Sequence, residues 1–322
     1  MKKMVLFIKV CVLAFILGRC SEQKSFSSIS LPLGKEPQLF MEGVVSTNDD
    51  EFDINFTKNS DSLFFTRRSL DNPQKIYFST WKNNKWTTPK KAQFSTARDE
   101  FPTLNPIGNI LYFGSTRPIP DRPSKGTFDM NIWKVEKIGD QWSSPKPLGR
   151  EINKIQDEKE QWPSSNENSI FQIDSENFIF STMQSTDSII NIFTTNTKKD
   201  GFTSPKKVNG LFEPDVYWKS SPIISPDGKY LFFNAYDTPF GFGGEDIFVS
   251  KVLDKGFSKA VNLGKRINSK REETSPRFSG NGEFFFFSRN DLNPTNEDGN
   301  WNIYYLKTKD LKLENLFTNE EY

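Results

Sequence analysis

The sequence contains no histidine and only two cysteines. Without histidine it can form neither a Ser-His-Asp nor a Cys-His nucleophile, and it lacks the commonest metal ligand. Cys11 lies in an N-terminal apolar run that we expect to be removed, so Cys20 is left without a partner for an internal disulfide. Phosphate-binding glycine loops, zinc-ligand spacings and the hydrolase nucleophile elbow are also missing. We therefore expect neither a cofactor nor a metal.

The chain also lacks a long hydrophobic run and an excess of one charge. Its formal net charge is +1, which gives no reason to expect nucleic acid as a partner. Residues 5–17 are apolar apart from Lys9, which is too short and interrupted for a membrane-spanning helix. Because Lys2 and Lys3 precede this run, we interpret residues 1–20 as a targeting segment.

What the sequence does contain is a repeated meander, seen most clearly at residues 221–249. Two apolar runs flank a Pro-Asp-Gly turn at 226–228, and a third follows a Gly-rich loop. The third strand recurs at intervals of about 55 to 60 residues, beginning at Ile76, Ile132, Ile192, Ile247 and Ile303. A fourth element, an aromatic residue followed by Ser or Thr, recurs at Trp86, Trp142, Phe202 and Phe257.

Five units of four short strands predict an all-β fold, a β-propeller with one blade per unit. The last unit lacks the fourth element, while residues 37–41 match the end of an outer strand with no unit before it. We therefore predict that the N-terminal strand completes the last blade, with residues 311–317 as a competing candidate. The predicted domains are a signal peptide (1–20), a flexible tether (21–34) and a single propeller (35–318).

The repeats resemble a known family. SPDGKYLFF at 225–233 resembles the WD40-like repeat called PD40, found in TolB and in many exported bacterial proteins. The segments at 131–133 and 142–145 resemble the third and outer strands of that repeat. TolB-like propellers usually have six blades, so the resemblance leaves a six-bladed ring as the alternative. It implies a fold rather than a function.

The segment Leu17-Gly18-Arg19-Cys20 resembles a bacterial lipoprotein box, although Arg19 replaces the usual small residue. This resemblance implies that Cys20 is lipidated and that the protein is anchored in the outer membrane, on its periplasmic or surface side. The alternative is an ordinary export signal that leaves Cys20 as a spare thiol.

One set of charged residues recurs three positions before the proline of the inner strand, or its counterpart. Alignment of the units places in this set Glu51, Asp99, Glu160, Lys219 and Glu273. Because inner strands line the channel of a propeller, these side chains are predicted to ring one mouth of it. Such a ring can bind a cation, a basic peptide or a sugar, or run glycoside hydrolysis if two carboxylates are suitably spaced. The alternative is structural: each acid caps a turn of its own blade.

Two further sets are weaker candidates. Arg68, Arg117 and Arg289 follow second strands and can hold a carboxylate ligand, or can bridge to residues such as Asn131 and Asn302. Trp81, Trp218 and Tyr236 are candidates for stacking on carbohydrate.

Taken together, the sequence predicts an exported, lipid-anchored propeller of a Gram-negative envelope. We expect it to be a non-catalytic module that binds an envelope protein or glycan. The alternative is a carbohydrate-active enzyme that uses carboxylates at the channel mouth.

Overall fold

The computed structural model describes Leu31, Gly34 and residues 36–120, 129–153, 169–183, 189–293 and 296–317. Side chains are described for these residues except 292–299. The predicted signal peptide with Cys20, most of the predicted tether, and Glu160 lie outside the described residues. Within the described part, no helix has the length and apolar character needed to cross a membrane.

The described residues form five antiparallel sheets, one per repeat. A short first strand, β1 (Gln38–Leu39), precedes them. Blade 1 contains β2 (Asp50–Phe56), β3 (Ser62–Ser69), β4 (Asn72–Lys82), β5 (Lys85–Trp86) and β6 (Lys90–Lys91). Blade 2 contains β7 (Asp99–Leu104), β8 (Ile110–Ser115), β9 (Asn131–Ile138), β10 (Gln141–Trp142) and β11 (Lys146–Pro147). Blade 3 contains β12 (Ser169–Gln172), β13 (Asn177–Met183), β14 (Ile190–Lys198), β15 (Gly201–Phe202) and β16 (Lys206–Lys207). Blade 4 contains β17 (Lys219–Ile224), β18 (Tyr230–Tyr236), β19 (Glu245–Lys251) and β20 (Val261–Asn262). Blade 5 contains β21 (Glu273–Phe278), β22 (Phe284–Asn293), β23 (Asn296–Lys307) and β1.

The five sheets close into a ring. The innermost strands β2, β7, β12, β17 and β21 each contact the innermost strands of both neighbouring blades, and β21 returns to β2. This arrangement confirms the five-bladed β-propeller and excludes the six-bladed alternative for this chain.

The N-terminal strand completes blade 5, as predicted. In β1, Gln38 and Leu39 pair with β23, and the N–H of Phe40 donates to the carbonyl of Ile303 at 2.8 Å. The competing C-terminal segment folds instead into a 3₁₀ turn (Thr308–Leu311) and a short helix, α1 (Leu313–Leu316). Its Leu311 and Phe317 are buried against blades 4 and 5. The two ends of the propeller are thereby tied to the same sheet.

The hydrophobic core is divided among the five blade-to-blade interfaces. Five clusters of buried side chains are present, each built from the facing sides of two adjacent blades. The sequence encodes this through strands that bury both faces, such as the run Leu231–Phe233 in β18, which is 0% exposed. Phenylalanine suits these interfaces because a ring buries a large apolar area and packs edge-to-face on its neighbours.

The recurring aromatic-Ser/Thr element lies at the outer edge of blades 1 to 4, whereas β1 forms that edge in blade 5. In blade 1 the N–H of Thr87 donates to the carbonyl of Thr80 at 3.0 Å, and the Thr80 N–H donates back to Oγ1 of Thr87 at 3.1 Å. The same exchange occurs in the other three units that carry the element, at Ser143, Thr203 and Ser258. The hydroxyl thus closes the edge of the blade, and in blades 1 to 3 a proline that follows it interrupts the ladder.

The ring has two distinct ends. At one end, which we call the turn face, tight turns join the first and second strands; the Ser225–Gly228 turn is one of them. At the other end, which we call the loop face, the inner strands begin and the second and third strands are joined. The Gly-rich loop between Tyr236 and Glu245 emerges on the loop face, because it joins the second and third strands of blade 4.

Candidate functional site

The acid that begins the inner strand is held by the same contacts in blades 1 and 5. Glu51 accepts hydrogen bonds from the Thr47 N–H (2.8 Å), the Thr47 hydroxyl (2.6 Å) and Nε of Arg67 (2.7 Å). Glu273 accepts the equivalent three from Ser269 (2.9 and 2.6 Å) and Arg289 (2.8 Å). Both carboxylates are fully buried. We call this arrangement the acid clamp.

Asp99 forms the acid clamp of blade 2 with a shorter side chain. It accepts from the Ser95 hydroxyl at 3.0 Å and pairs with both terminal nitrogens of Arg117. The clamp arginines also lie over aromatic rings of their own blade; that of blade 5 is 4.9 Å from the centre of Tyr304. Each clamp therefore joins the segment arriving from the preceding blade to the start of the new inner strand.

Blade 4 reverses the charges of the clamp. Lys219, which is fully buried, donates from Nζ to Asp215 at 2.6 Å and to the Tyr217 carbonyl at 2.8 Å. An acid upstream thus takes the place of the arginine on the second strand. The exchange preserves a neutral pair in a buried place, where a single charge would be costly.

The clamps correct two expectations about arginine. The residue of blade 1 that is equivalent to Arg117 and Arg289 is Arg67, whereas Arg68 pairs with Asp50 at 2.7 Å. The clamp arginines bridge to the acid at the start of the inner strand, and not to Asn131 or Asn302. Their guanidinium groups are already committed to a carboxylate of the protein.

A backbone bulge separates the clamp from the channel. Two residues after each clamp position, four inner strands carry a non-glycine residue with φ between 53° and 60°: Asp53, Phe101, Ser221 and Ser275. The strand register shifts at these same places. A bulge of this kind re-aims the neighbouring side chains. As a result, the residue after each clamp position lines the cavities at the channel mouth, namely Phe52, Glu100, Ser220 and Thr274.

Two adjoining cavities occupy the loop-face end of the channel. The first, which we call cavity A, has a volume of about 280 Å³ and is walled by Phe52, Phe101 and Trp301. Its polar lining includes Glu100 and Arg98, whose ion pair measures 3.1 Å. Arg68 lies at the same cavity.

The second cavity, which we call cavity B, shares Phe101 and Thr274 with cavity A. Its volume is about 210 Å³, and its walls include the rings of Trp218 and Tyr236. These rings are 45% and 40% exposed, respectively, which is unusual for aromatic side chains in this protein. Of the three predicted stacking residues, the structure brings these two together. Trp81 is buried and packs on Trp86 at the outer edge, so its predicted exposure was wrong.

Three acids lie in or just below the cavities, and one of them, Asp53, repels the other two, Glu100 and Glu245. Burial raises the pKa of Asp53 to about 6, and burial with repulsion from Asp53 raises the pKa of Glu100 to about 7. Burial, with repulsion from Glu272 and Asp53, raises the pKa of Glu245 to about 8. Glu100 has a cationic neighbour in Arg98, whereas no ion pair to Glu245 is present in the described part of the protein. Shifted acids in a cleft are typical of functional sites.

The turn-face end of the channel differs in its charge. A cavity of about 360 Å³ there is lined by Arg277 and Lys58, together with the amides of Asn55, Asn105 and Gln172. No acid lines it among the described residues. Within that part of the protein, moreover, no group of three acids, cysteines or histidines converges as a metal ion would require.

The predicted residues lie at the loop-face end of the inner strands, and the cavities at that end are lined by four residues that were not predicted: Glu100, Phe101, Glu245 and Trp301. Glu100 follows a predicted residue directly, so the alternation of side chains along a strand was the available signal. Glu245 directly follows the Gly-rich loop. The structure brings Glu51, Asp99, Lys219 and Glu273 to equivalent positions, each within its own clamp.

Comparison with known proteins gives a fold and no family. No family profile matches the sequence, and no curated protein matches it significantly. A solved structure described as a complex of BT0996 and RGII matches with a TM-score of 0.55 at 11% identity, over 85% of this protein and 91% of that one. One described as "Glycoside hydrolase" matches with a TM-score of 0.53 at 10% identity, over 81% and 89%.

TolB from Acinetobacter baumannii is also similar, with a TM-score of 0.45 at 14% identity. That match covers 81% of this protein and 55% of TolB, so the sequence spans about half the length of TolB. At such identities the likeness to these structures shows the fold alone.

Proposed function

We propose that this protein is a glycan-binding propeller without catalytic activity, and that the glycan lies across cavities A and B. One observation carries this proposal: two adjoining cavities at the channel mouth are walled by aromatic rings and lined by fixed polar side chains. The C–H groups of a sugar ring are weakly positive and suit the negative face of an aromatic ring. Its hydroxyls need hydrogen-bonding partners in fixed positions.

The contacts within cavity B support this reading. Trp218 lines cavity B and is 45% exposed, and its ring packs on no other aromatic ring among the described residues. Beside it, the Asn234 amide donates to Oγ of Ser220 at 2.7 Å. The Ser220 hydroxyl donates to no acceptor among the described residues, so its proton can serve a ligand. Cavity B is smaller than a typical drug-sized pocket and suits a single sugar ring, with cavity A taking the next one.

The place in the cell is part of the proposal and is supported by the sequence. The basic start, the apolar run and the PD40 resemblance favour export, and the lipoprotein-like segment favours lipidation of Cys20 and an outer-membrane anchor. We expect Cys20→Ser to move the protein from the membrane fraction to the soluble fraction. If the variant sediments with membranes as the parent does, the anchor is elsewhere or absent.

Glycan binding is tested by titrating the protein with a panel of envelope and dietary polysaccharides and their oligosaccharides. We expect Trp218→Ala and Trp301→Ala each to weaken binding by about fivefold or more, the loss expected when a stacked ring is removed. Ile107→Ala is the matched control, because Ile107 is 74% exposed but lies on the turn face. Binding that survives both tryptophan changes would place the ligand elsewhere.

The same titration tests the first prediction for the site, which assigned the ligand to Glu51, Asp99, Glu160, Lys219 and Glu273. We expect the folded Glu273→Gln variant to bind the glycan with unchanged affinity. In the parent protein the Glu273 carboxylate already accepts hydrogen bonds from Ser269 and Arg289. A selective loss of binding in this variant would restore the clamp residues as the site.

A second candidate function, glycoside hydrolysis, is favoured by the three acids near the mouth. A hydrolase of this kind needs one carboxyl that is protonated near neutral pH and a second that is ionised. Glu245 and Glu100 have the raised pKa values that suit the first role. Release of reducing ends from any polysaccharide of the panel, abolished in both Glu245→Gln and Glu100→Gln, would establish catalysis and overturn the non-catalytic proposal.

A further inference from the structure

Cavity B has a lining that is unusual for a neutral sugar. Among the described residues it contains one carboxyl group, from Glu245, and no lysine or arginine. Three aromatic rings also line it: those of Phe101, Trp218 and Tyr236. Cavity A, by contrast, contains two arginines, Arg68 and Arg98. The two halves of the mouth therefore differ in the charge that they can accept.

The Glu245 carboxyl is held in place by hydrogen bonds but forms no ion pair with the described residues. Its Oε1 accepts hydrogen bonds from the Asn234 amide and, at 3.3 Å, from the Thr274 hydroxyl. Oε2 accepts no hydrogen bond from the described residues. The charged neighbours that act on it, Glu272 and Asp53, are acids and oppose its ionisation. A cation that entered the cavity would remove this conflict by pairing with the carboxylate.

The aromatic rings favour the same kind of ligand. An ammonium group is attracted to the negative face of an aromatic ring, most strongly to tryptophan. Trp218 is partly exposed at the cavity, and the Tyr236 hydroxyl donates to Glu272 at 3.0 Å. That hydrogen bond fixes the tyrosine ring and brings a second acid to the rim of the cavity. A carboxyl group and rings around one small space are complementary to a single positive charge.

We propose that the bound glycan contains an amino sugar, and that its free ammonium group lies in cavity B between Glu245 and the rings of Trp218 and Tyr236. This inference rests on the proposed glycan-binding function and specifies its ligand class. An amino sugar fits better than a lysine side chain because the cavity also presents the Ser220 hydroxyl, which a hydrocarbon stem would leave unused.

Matched probes test the charge separately from the sugar. The binding of a β-1,4-linked glucosamine dimer is measured by calorimetry beside its N-acetylated form and cellobiose, at one pH and low ionic strength. We expect the free amine to bind about tenfold or more tightly than either neutral dimer, as charge-assisted hydrogen bonds are the stronger ones. Nα-acetyl-lysine amide serves as the probe for a protein ligand.

Two variants complete the test. In Glu245→Gln we expect the preference for the amine to disappear while the neutral dimers keep their affinity. Glu314→Gln removes the same charge from an exposed position on α1 and is expected to keep the preference. Thermal melts of both variants check that each is folded.

The outcomes separate this inference from the proposed function. Equal affinities for the three dimers, or a preference for the acetylated one, would overturn the ammonium inference and leave glycan binding standing. Tighter binding of the lysine probe than of the glucosamine dimer would overturn the proposal that the ligand is an amino sugar. If no dimer binds but a neutral glycan of the wider panel does, the inference also fails, whereas failure of the whole panel overturns both.

Discussion

The clamps and the channel mouth both contain buried carboxyl groups, but they use them differently. At a clamp, Glu273 has the arginine of its own blade and two hydrogen-bond donors from Ser269, in the segment that arrives from blade 4, so both carboxylate oxygens have a partner. At the mouth, Glu245 has two neutral donors on one oxygen and acids as its charged neighbours. The clamp recurs in blades 1, 2 and 5, with reversed charges in blade 4, and there it holds the start of the inner strand. Glu245 belongs to no such repeat and has no ion pair among the described residues, and we propose that it faces a ligand.

The largest effect expected in the scaffold concerns the closure of the ring. Phe40 is fully buried beside β1 and packs edge-to-face on Phe286 at 5.2 Å. Phe40→Ala is expected to lower the free energy of unfolding by about 3 to 5 kcal/mol, because it opens a cavity at the blade 1–5 interface. Denaturant unfolding measures this. Phe240→Ala, at a ring that is 51% exposed on the loop face, is the control and should cost far less.

If the two phenylalanine changes destabilise the protein equally, the N-terminal strand is not what closes the ring. The claim that the N-terminal strand stabilises the ring would then be wrong.

The next effect concerns the clamp acid itself. Glu273→Gln leaves the Arg289 guanidinium, whose side chain is 16% exposed, without its carboxylate. We expect a loss of about 3 kcal/mol in the free energy of unfolding, the typical cost of breaking a buried ion pair from one side. Glu245→Gln, which removes an acid with no cation, is expected to cost less than about 1 kcal/mol at pH 7. Equal losses of unfolding free energy in the two variants would contradict the distinction between clamp acids and mouth acids.

A smaller effect is the dependence of stability on pH. Burial raises the pKa of Glu245 from 4.5 to about 8, so the folded protein holds this proton more tightly than the unfolded chain does. Unfolding therefore releases a proton between these values, and the stabilisation is lost as the pH rises from about 4.5 to about 8. Asp53, Glu100 and Glu51 act in the same direction, since burial raises the pKa of each.

Thermal melts at pH 5, 6.5 and 8 measure this trend, and the melting temperature is expected to fall by several degrees. Glu245→Gln should flatten the curve and be more stable than the parent at pH 8. Glu314→Gln should follow the parent curve. A melting temperature that rises with pH over this range would show that the mouth acids are ionised in the folded protein.

Much of the fold could be predicted because the blades of a propeller repeat one sequence pattern. Five third strands and four outer-strand elements fixed the number of blades, and residues 37–41 supplied the missing outer strand. The ring follows because each meander buries its two faces only against copies of itself.

The candidate site was harder to predict, because it depends on backbone geometry that residue types do not show. The inner-strand bulges place φ values near +55° at Phe101 and Ser275, which are not residues that signal such a conformation. They turn the side chains of Glu100 and Thr274 to the cavities, one position beyond the residues predicted. Among the described residues Glu245 has no ion pair, which depends on the side chains that surround it in space, and no spacing in the sequence indicates this.

The most direct test of ligand binding at the channel mouth is a crystal structure of the protein with the glucosamine dimer bound. We predict density for one sugar ring against Trp218, with its amine nitrogen within hydrogen-bond distance of the Glu245 carboxyl and the second ring in cavity A. Density for the sugar at the turn face or at a clamp, with an empty loop-face mouth, would contradict this assignment.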